Sequence, residues 1–212
     1  MRIRRQWPVV CVLLFVGFVS AQSDPDPQHS TGTHRDTYAI YSMLMPGSVL
    51  TNLGPGQNQR WAIADTTVNL DDMNPKLAPD AALQPPGNNP KPFQEALEDF
   101  NARKYQRETL THSFHLDRAY TLLSPAEISE FREARTSATA SSAMRQRYSG
   151  YPGITFFSDV YFNPHRTAAL VYRLAWCGNL CSQGEWIYLE KHNGNWVQRS
   201  GQAAVVSGAR PF

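Results

Sequence analysis

Long apolar runs are what this chain of 212 residues has least of. The only one, residues 9–19, is shorter than the roughly 20 residues a spanning helix needs, so no stable insertion in a membrane is expected of the mature chain. Arg2, Arg4 and Arg5 precede that run and Val19-Ser20-Ala21 follows it. A basic start, a short apolar stretch and small residues at its end make a secretory signal peptide over residues 1–21, cleaved before Gln22. Cys11 sits inside the apolar run behind a bulky Val10, which argues against lipidation.

Charge of one sign is equally scarce. The chain has 20 basic and 18 acidic residues; three arginines leave with the signal, so 17 face 18 and the mature net charge is about −1. No basic footprint for nucleic acid remains, and no polybasic patch suits anionic lipid. The partners left open are a small ligand or a protein. About 190 residues are enough for one domain with its own core.

Cysteine is the third scarcity: of three, only Cys177 and Cys181 survive cleavage. They lie in "CGNLC" between two predicted strands, where the intervening residues, Gly178 among them, let the Cα atoms come within the roughly 4.4–6.8 Å of a disulfide. An oxidising compartment favours that pairing; ordinary loop cysteines are the alternative. Zinc needs further ligands, and no Cys or His lies at motif spacing. A redox pair is expected as Cys-x2-Cys at a helix start. No nucleotide or other cofactor motif is present, so no cofactor is expected.

What is there reads as a single α+β domain over residues 36–212. Residues 22–35, "QSDPDPQHSTGTHR", are polar and carry nothing to bury, which predicts a disordered leader. Asp36 or Thr37 then caps a short helix with Tyr38, Tyr41 and Leu44 or Met45 on one face, ended by Pro46-Gly47. "RWAIADTTVNL" alternates as a strand. Residues 71–92 hold six prolines and read as a surface loop. Phe93, Ala96 or Leu97, and Phe100 recur at helical spacing with Pro92 in the first turn. "ETLTHSFHLD" alternates Leu110, His112, Phe114 and Leu116 and predicts a strand. Ser124-Pro125 with Glu127 forms a capping box that starts a helix running past Phe131.

The last third is the most regular. Runs near 154–162, 167–176, 185–191 and 196–206 are rich in aromatic and β-branched residues. Their short connections force antiparallel neighbours, because a parallel crossover needs a dozen or more residues. The expected fold is therefore N-terminal helices packed on a C-terminal four-stranded antiparallel meander, with Asn193-Gly194 turning its last hairpin.

Within that third, "FSDVYFN", "ALVY", "CGNLC" and "LEKHNGNW" follow in order. The series resembles a pattern that recurs in uncharacterised secreted bacterial proteins, departing from it at Ser182, where glycine is common. The resemblance implies export and transfers no chemistry. The closing hairpin is also similar to those of nuclear-transport-factor-2-like and cystatin-like α+β folds.

Four residues stand out as candidate ligand-binding groups: His112, Asp159, Tyr172 and Arg173. Asp159 is the charge to watch. It lies amid "TFFSDVYF" on the side of Thr155, Phe157 and Tyr161, and a sheet covered on both faces would force it to find a partner such as Arg173 on the next strand. A solvent-facing ion pair is the plainer reading. His112 reads more simply as a histidine hydrogen-bonded on a mostly apolar face, and strand alternation sets it opposite His115 and Asp117, which speaks against a metal. Asp71, Asp72, Asn74 and Asp80 lack calcium-loop spacing. Arg132, Arg135, Arg145 and Arg147 read as decoration of a helix face. Two functions fit. One is a non-catalytic exported module that binds a small ligand, peptide or partner between helices and sheet. The other is a hydrolase-like enzyme that gathers His112, Asp159 and Tyr172 in one pocket.

Overall fold

A seven-stranded mixed sheet organises the chain; the computed structural model describes residues 27–51, 59–73 and 76–204. The expected signal peptide lies outside these residues. In chain order the elements are α1 (Pro27–Leu44), α2 (Ser48–Thr51), β1 (Trp61–Ala64), a 3-10 turn (Leu70–Asp72), α3 (Pro79–Ala82), α4 (Lys91–Arg103), β2 (Tyr120–Leu123), α5 (Pro125–Thr136) and α6 (Ser142–Tyr148). Then come β3 (Ile154–Phe157), β4 (Tyr161–Phe162), β5 (Ala168–Gly178), β6 (Cys181–His192) and β7 (Asn195–Ala204). The strand order is β2-β1-β3-β5-β6-β7, with β4 also paired to β5.

This corrects the expected four-stranded antiparallel meander. β3 to β7 do pair antiparallel, but β1 lies parallel to both β2 and β3. The connections that make this possible carry α4 in one case and α5 with α6 in the other, long enough for parallel crossovers. The fold remains α+β in the broad sense, with helices on both faces of the sheet.

Local signals account for several elements. Ser124 Oγ accepts from the Glu127 N–H at 3.4 Å and Glu127 Oε2 accepts from the Ser124 N–H at 3.0 Å, completing the capping box of α5. α4 buries Phe93, Ala96 and Phe100 at the expected spacing. Asn193 and Gly194 both take positive φ, 51° and 84°, as a two-residue hairpin turn of the primed type requires.

Two further expectations are corrected. Residues 27–35, expected as disordered leader, belong to α1. Tertiary contact overrides their weak helix propensity: Arg166 donates to Thr33 Oγ1 at 2.8 Å and to Asp36 Oδ2 at 3.0 Å, and Lys191 reaches Asp36 at 2.9 Å. Asp36 is thus a buried mid-helix anchor rather than a cap. The "ETLTHSFHLD" segment buries Leu110 and Phe114 as its alternation requires, yet it forms no strand beyond one bridge from Thr109 to Thr66. The Leu110 N–H donates to Asp65 O at 2.6 Å beside that bridge, but the donors that follow go elsewhere: the Thr111 N–H to Tyr38 Oη at 2.6 Å and the His115 N–H to Ser42 Oγ at 2.9 Å. Side chains of α1 take the place of a ladder.

The sheet is covered on both faces. α4, α5 and α6 pack on one through Phe93, Phe100, Phe131 and Tyr148 against Phe156, Tyr161, Trp186 and Tyr188. α1 packs on the other through Tyr38, Ile40, Tyr41 and Leu44 against Phe157, Val171, Ile187 and Leu189. A strand buried on both sides carries apolar residues on both, which is why β5 reads "AALVY" without alternation. Among the described residues no helix is long and apolar enough to cross a membrane.

Candidate functional site

The site begins with an irregularity between β3 and β4. Phe157 pairs with Arg173 and Tyr161 with Leu170, so four steps on one strand match three on its neighbour. One extra residue is accommodated there, as in a bulge, and it reverses the faces. Phe157 stacks on Tyr41 of α1 at 4.6 Å, whereas Tyr161 meets Phe100 of α4 edge-on at 5.2 Å. The expected common side for Phe157, Asp159 and Tyr161 is thereby corrected. Ser158 keeps the backbone satisfied: its N–H donates to Tyr172 O at 2.9 Å, its Oγ accepts from the Tyr172 N–H at 2.8 Å, and its carbonyl accepts from Tyr41 Oη at 2.8 Å.

Asp159 is re-aimed by this step. Its partner is Arg103, the last residue of α4, and not Arg173. Arg103 also forks onto Asp99 one turn earlier, Nε to Oδ1 at 2.8 Å and Nη2 to Oδ2 at 2.6 Å, and Nη2 donates to Val160 O at 3.1 Å. Asp159 Oδ1 accepts the Val160 N–H at 2.7 Å, and Asp99 Oδ2 accepts the Phe162 N–H at 2.9 Å. Helix end and strand step are clamped together by one guanidinium and two carboxylates. Only 13% of the Asp159 side chain is exposed. Burial raises its pKa above the ordinary carboxylate value, and the charge and hydrogen bonds of Arg103 do not fully offset that. Burial, then the charge of Asp159, raises the phenols of Tyr41 and Tyr161.

Asp99, Arg103 and Asp159 lie along one side of a cleft of about 580 Å³, within the usual range of small-molecule sites. Its other walls are Thr33, His34, Thr37 and Tyr38 of α1, the extended stretch Glu108 to Thr111, and Phe162, Asn163 and Arg166 around the β4–β5 turn. Arg166 holds a positive φ of 54° there, a strained conformation for a non-glycine residue, and its side chain fastens α1 across the cleft.

The other sequence candidates are not brought to this place. Arg173 faces α1, where it meets Glu185 on β6 and the carbonyl of Leu44. Tyr172 lies in the core beneath α4, its ring 5.5 Å from Trp186. Its hydroxyl comes so close to Gly184 that a Cβ there would stand 2.0 Å away. Burial and the charge of Glu185 push its phenol up to about 12. His112 is exposed on the loop, its ring 5.5 Å from Tyr120. Of the three residues the hydrolase reading needs together, only Asp159 lines the cleft. His115 and Asp117 border a second cleft of about 450 Å³, and among the described residues no group of metal-ligating side chains forms. Cys177 and Cys181 are joined as a disulfide, Cα atoms 5.1 Å apart, at the tip of the β5–β6 hairpin.

Sequence reasoning missed Arg103, Asp99, Glu185 and Arg166. Asp99 and Arg103 stand four residues apart on a predicted helix, a signal that was legible as a surface pair. Their reach to Asp159 was not, because it depends on the extra residue before β4. Compared with protein-family models, with curated proteins and with solved structures, the chain matches none of them.

Proposed function

We propose that this protein is an exported, non-catalytic module that binds a small ligand in the cleft between α1 and the end of α4. The observation that carries the reading is the state of the charges in that cleft. A general acid or base must exchange a proton with its substrate, yet both oxygens of Asp159 are held, one by Arg103 and one by the Val160 N–H. Fixed, engaged polar groups beside aromatic walls suit recognition rather than turnover. The Cys177–Cys181 disulfide and the N-terminal signal pattern support export to the periplasm or beyond the cell.

The experiment is an amide NMR screen of the mature protein against a mixture of small polar fragments. Binding compounds should shift Thr37, Thr109 and Val160, and their effect should vanish when Thr109→Trp fills the cleft. Shifts confined to other surfaces, or hydrolysis of aryl ester, phosphate or glycoside substrates at a rate that falls with Asp159→Asn, would contradict it.

A further inference from the structure

We infer that the cleft takes a small organic cation, an ammonium group carried on an aromatic or apolar body; this rests on the binding reading above. The charges that line the cleft are Asp99, Glu108 and Asp159 against Arg103 and Arg166, with His34 at the α1 wall. Arg166 shares the single carboxylate of buried Asp36 with Lys191, so it still counts as a positive charge of the lining. Arg103 is a single positive charge in contact with two carboxylates, Asp99 and Asp159. Glu108 adds a third at the exposed rim. Three acids against two arginines leave the lining with an excess of one negative charge, and part of it is desolvated, where its field is least screened.

That balance discriminates between ligand classes. A carboxylate or phosphate would meet three like charges, and the donors that might receive it on Arg103 are engaged by Asp99, Asp159 and Val160 O. A cation meets attraction from three acids against repulsion from two arginines, a net attraction of one charge. The walls supply the rest: Tyr38 adds apolar surface for the body of the ligand, the Phe162 ring already carries the Arg166 guanidinium 5.0 Å from its centroid, and Thr37 and Thr109 carry hydroxyls able to accept from an ammonium.

The test compares three molecules with one ring and different charge: tyramine, 4-hydroxyphenylacetate and p-cresol, titrated into the mature protein and followed by amide NMR. Tyramine should shift the cleft residues and bind at least about tenfold tighter than either analogue, with an affinity that falls as salt is raised. Glu108→Gln should weaken it severalfold and Glu108→Lys by about tenfold or more; this side chain is exposed, so both variants should fold as the parent does. Equal or tighter cleft binding of 4-hydroxyphenylacetate or p-cresol would overturn the cationic class while leaving a binding site in place. No shift of cleft residues with tyramine or spermidine at millimolar concentration also overturns it. If the fragment screen is silent there as well, the binding reading falls with it.

Discussion

Arg173 and Arg103 each hold a helix to the sheet, and their carboxylate partners differ in stoichiometry. Arg173 meets one carboxylate, Glu185, across two neighbouring strands, and closes its remaining reach on the Leu44 carbonyl beneath α1. Arg103 meets two, Asp99 on its own helix and Asp159 at the strand step. The first arrangement is a matched pair that fastens a helix to a sheet. The second leaves one negative charge unmatched, and it faces a cleft rather than a core. The lesson is that burial of an ion pair does not mark a site; an imbalance of charge beside an open volume does.

The sharpest way to break the comparison is at the matched pair. Glu185→Ala leaves Arg173 buried beside no carboxylate partner and should destabilise the fold by about 3 kcal/mol in denaturant or thermal unfolding. A change well under 1 kcal/mol would mean that Arg173 is solvated after all, and the contrast with Arg103 would weaken. Replacing Cys177 and Cys181 by serine should cost about 2 kcal/mol, as expected of a small closed loop. That loss should leave the cleft intact, because the hairpin tip does not line it, and amide shifts at Thr37 and Val160 would check this.

The smallest effect is expected at Asp159. Its folded-state pKa lies above the ordinary 3.8, so the unfolded chain releases the proton first as pH rises. Below the ordinary value Asp159 contributes no penalty. The penalty grows between the ordinary and the raised value and is fully present above the latter. Asp159→Asn keeps an acceptor for the Val160 N–H and removes the buried charge. It should therefore change stability by less than about 1 kcal/mol at neutral pH and gain on the parent as pH rises from the acid side. A variant that loses ground over that range would show that Asp159 is a stabilising ion-pair partner like Glu185.

Much of this architecture is written in local signals. Ser124 with Glu127, the Phe93, Ala96 and Phe100 spacing, and Asn193-Gly194 each act within a few residues, and each produces the expected element. The disulfide follows likewise from the short "CGNLC" loop and the strands on either side. What was not legible depends on partners far along the chain. β1 and β2 have four residues each and are defined by lying beside one another and β3. The Leu110 to Leu116 alternation is real, yet whether it becomes a strand depends on where its N–H groups find acceptors, and α1 supplies them. Asp159 was visible as an unusual charge in an apolar run. Its partner was not, because the apparent alternation from Thr155 to Tyr161 hides the extra residue that only the register against β5 reveals.

The most direct measurement is a carboxyl NMR titration of Asp159 in the mature protein, observed at its side-chain carbon. A largely buried carboxylate that shares its one guanidinium with Asp99 should titrate above the ordinary value of 3.8 and shift further upward when Arg103→Gln replaces its cationic contact on α4 by a neutral group. A midpoint below the ordinary value would make Asp159 a stabilising ion-pair partner, and the contrast between Arg103 and Arg173 would fall.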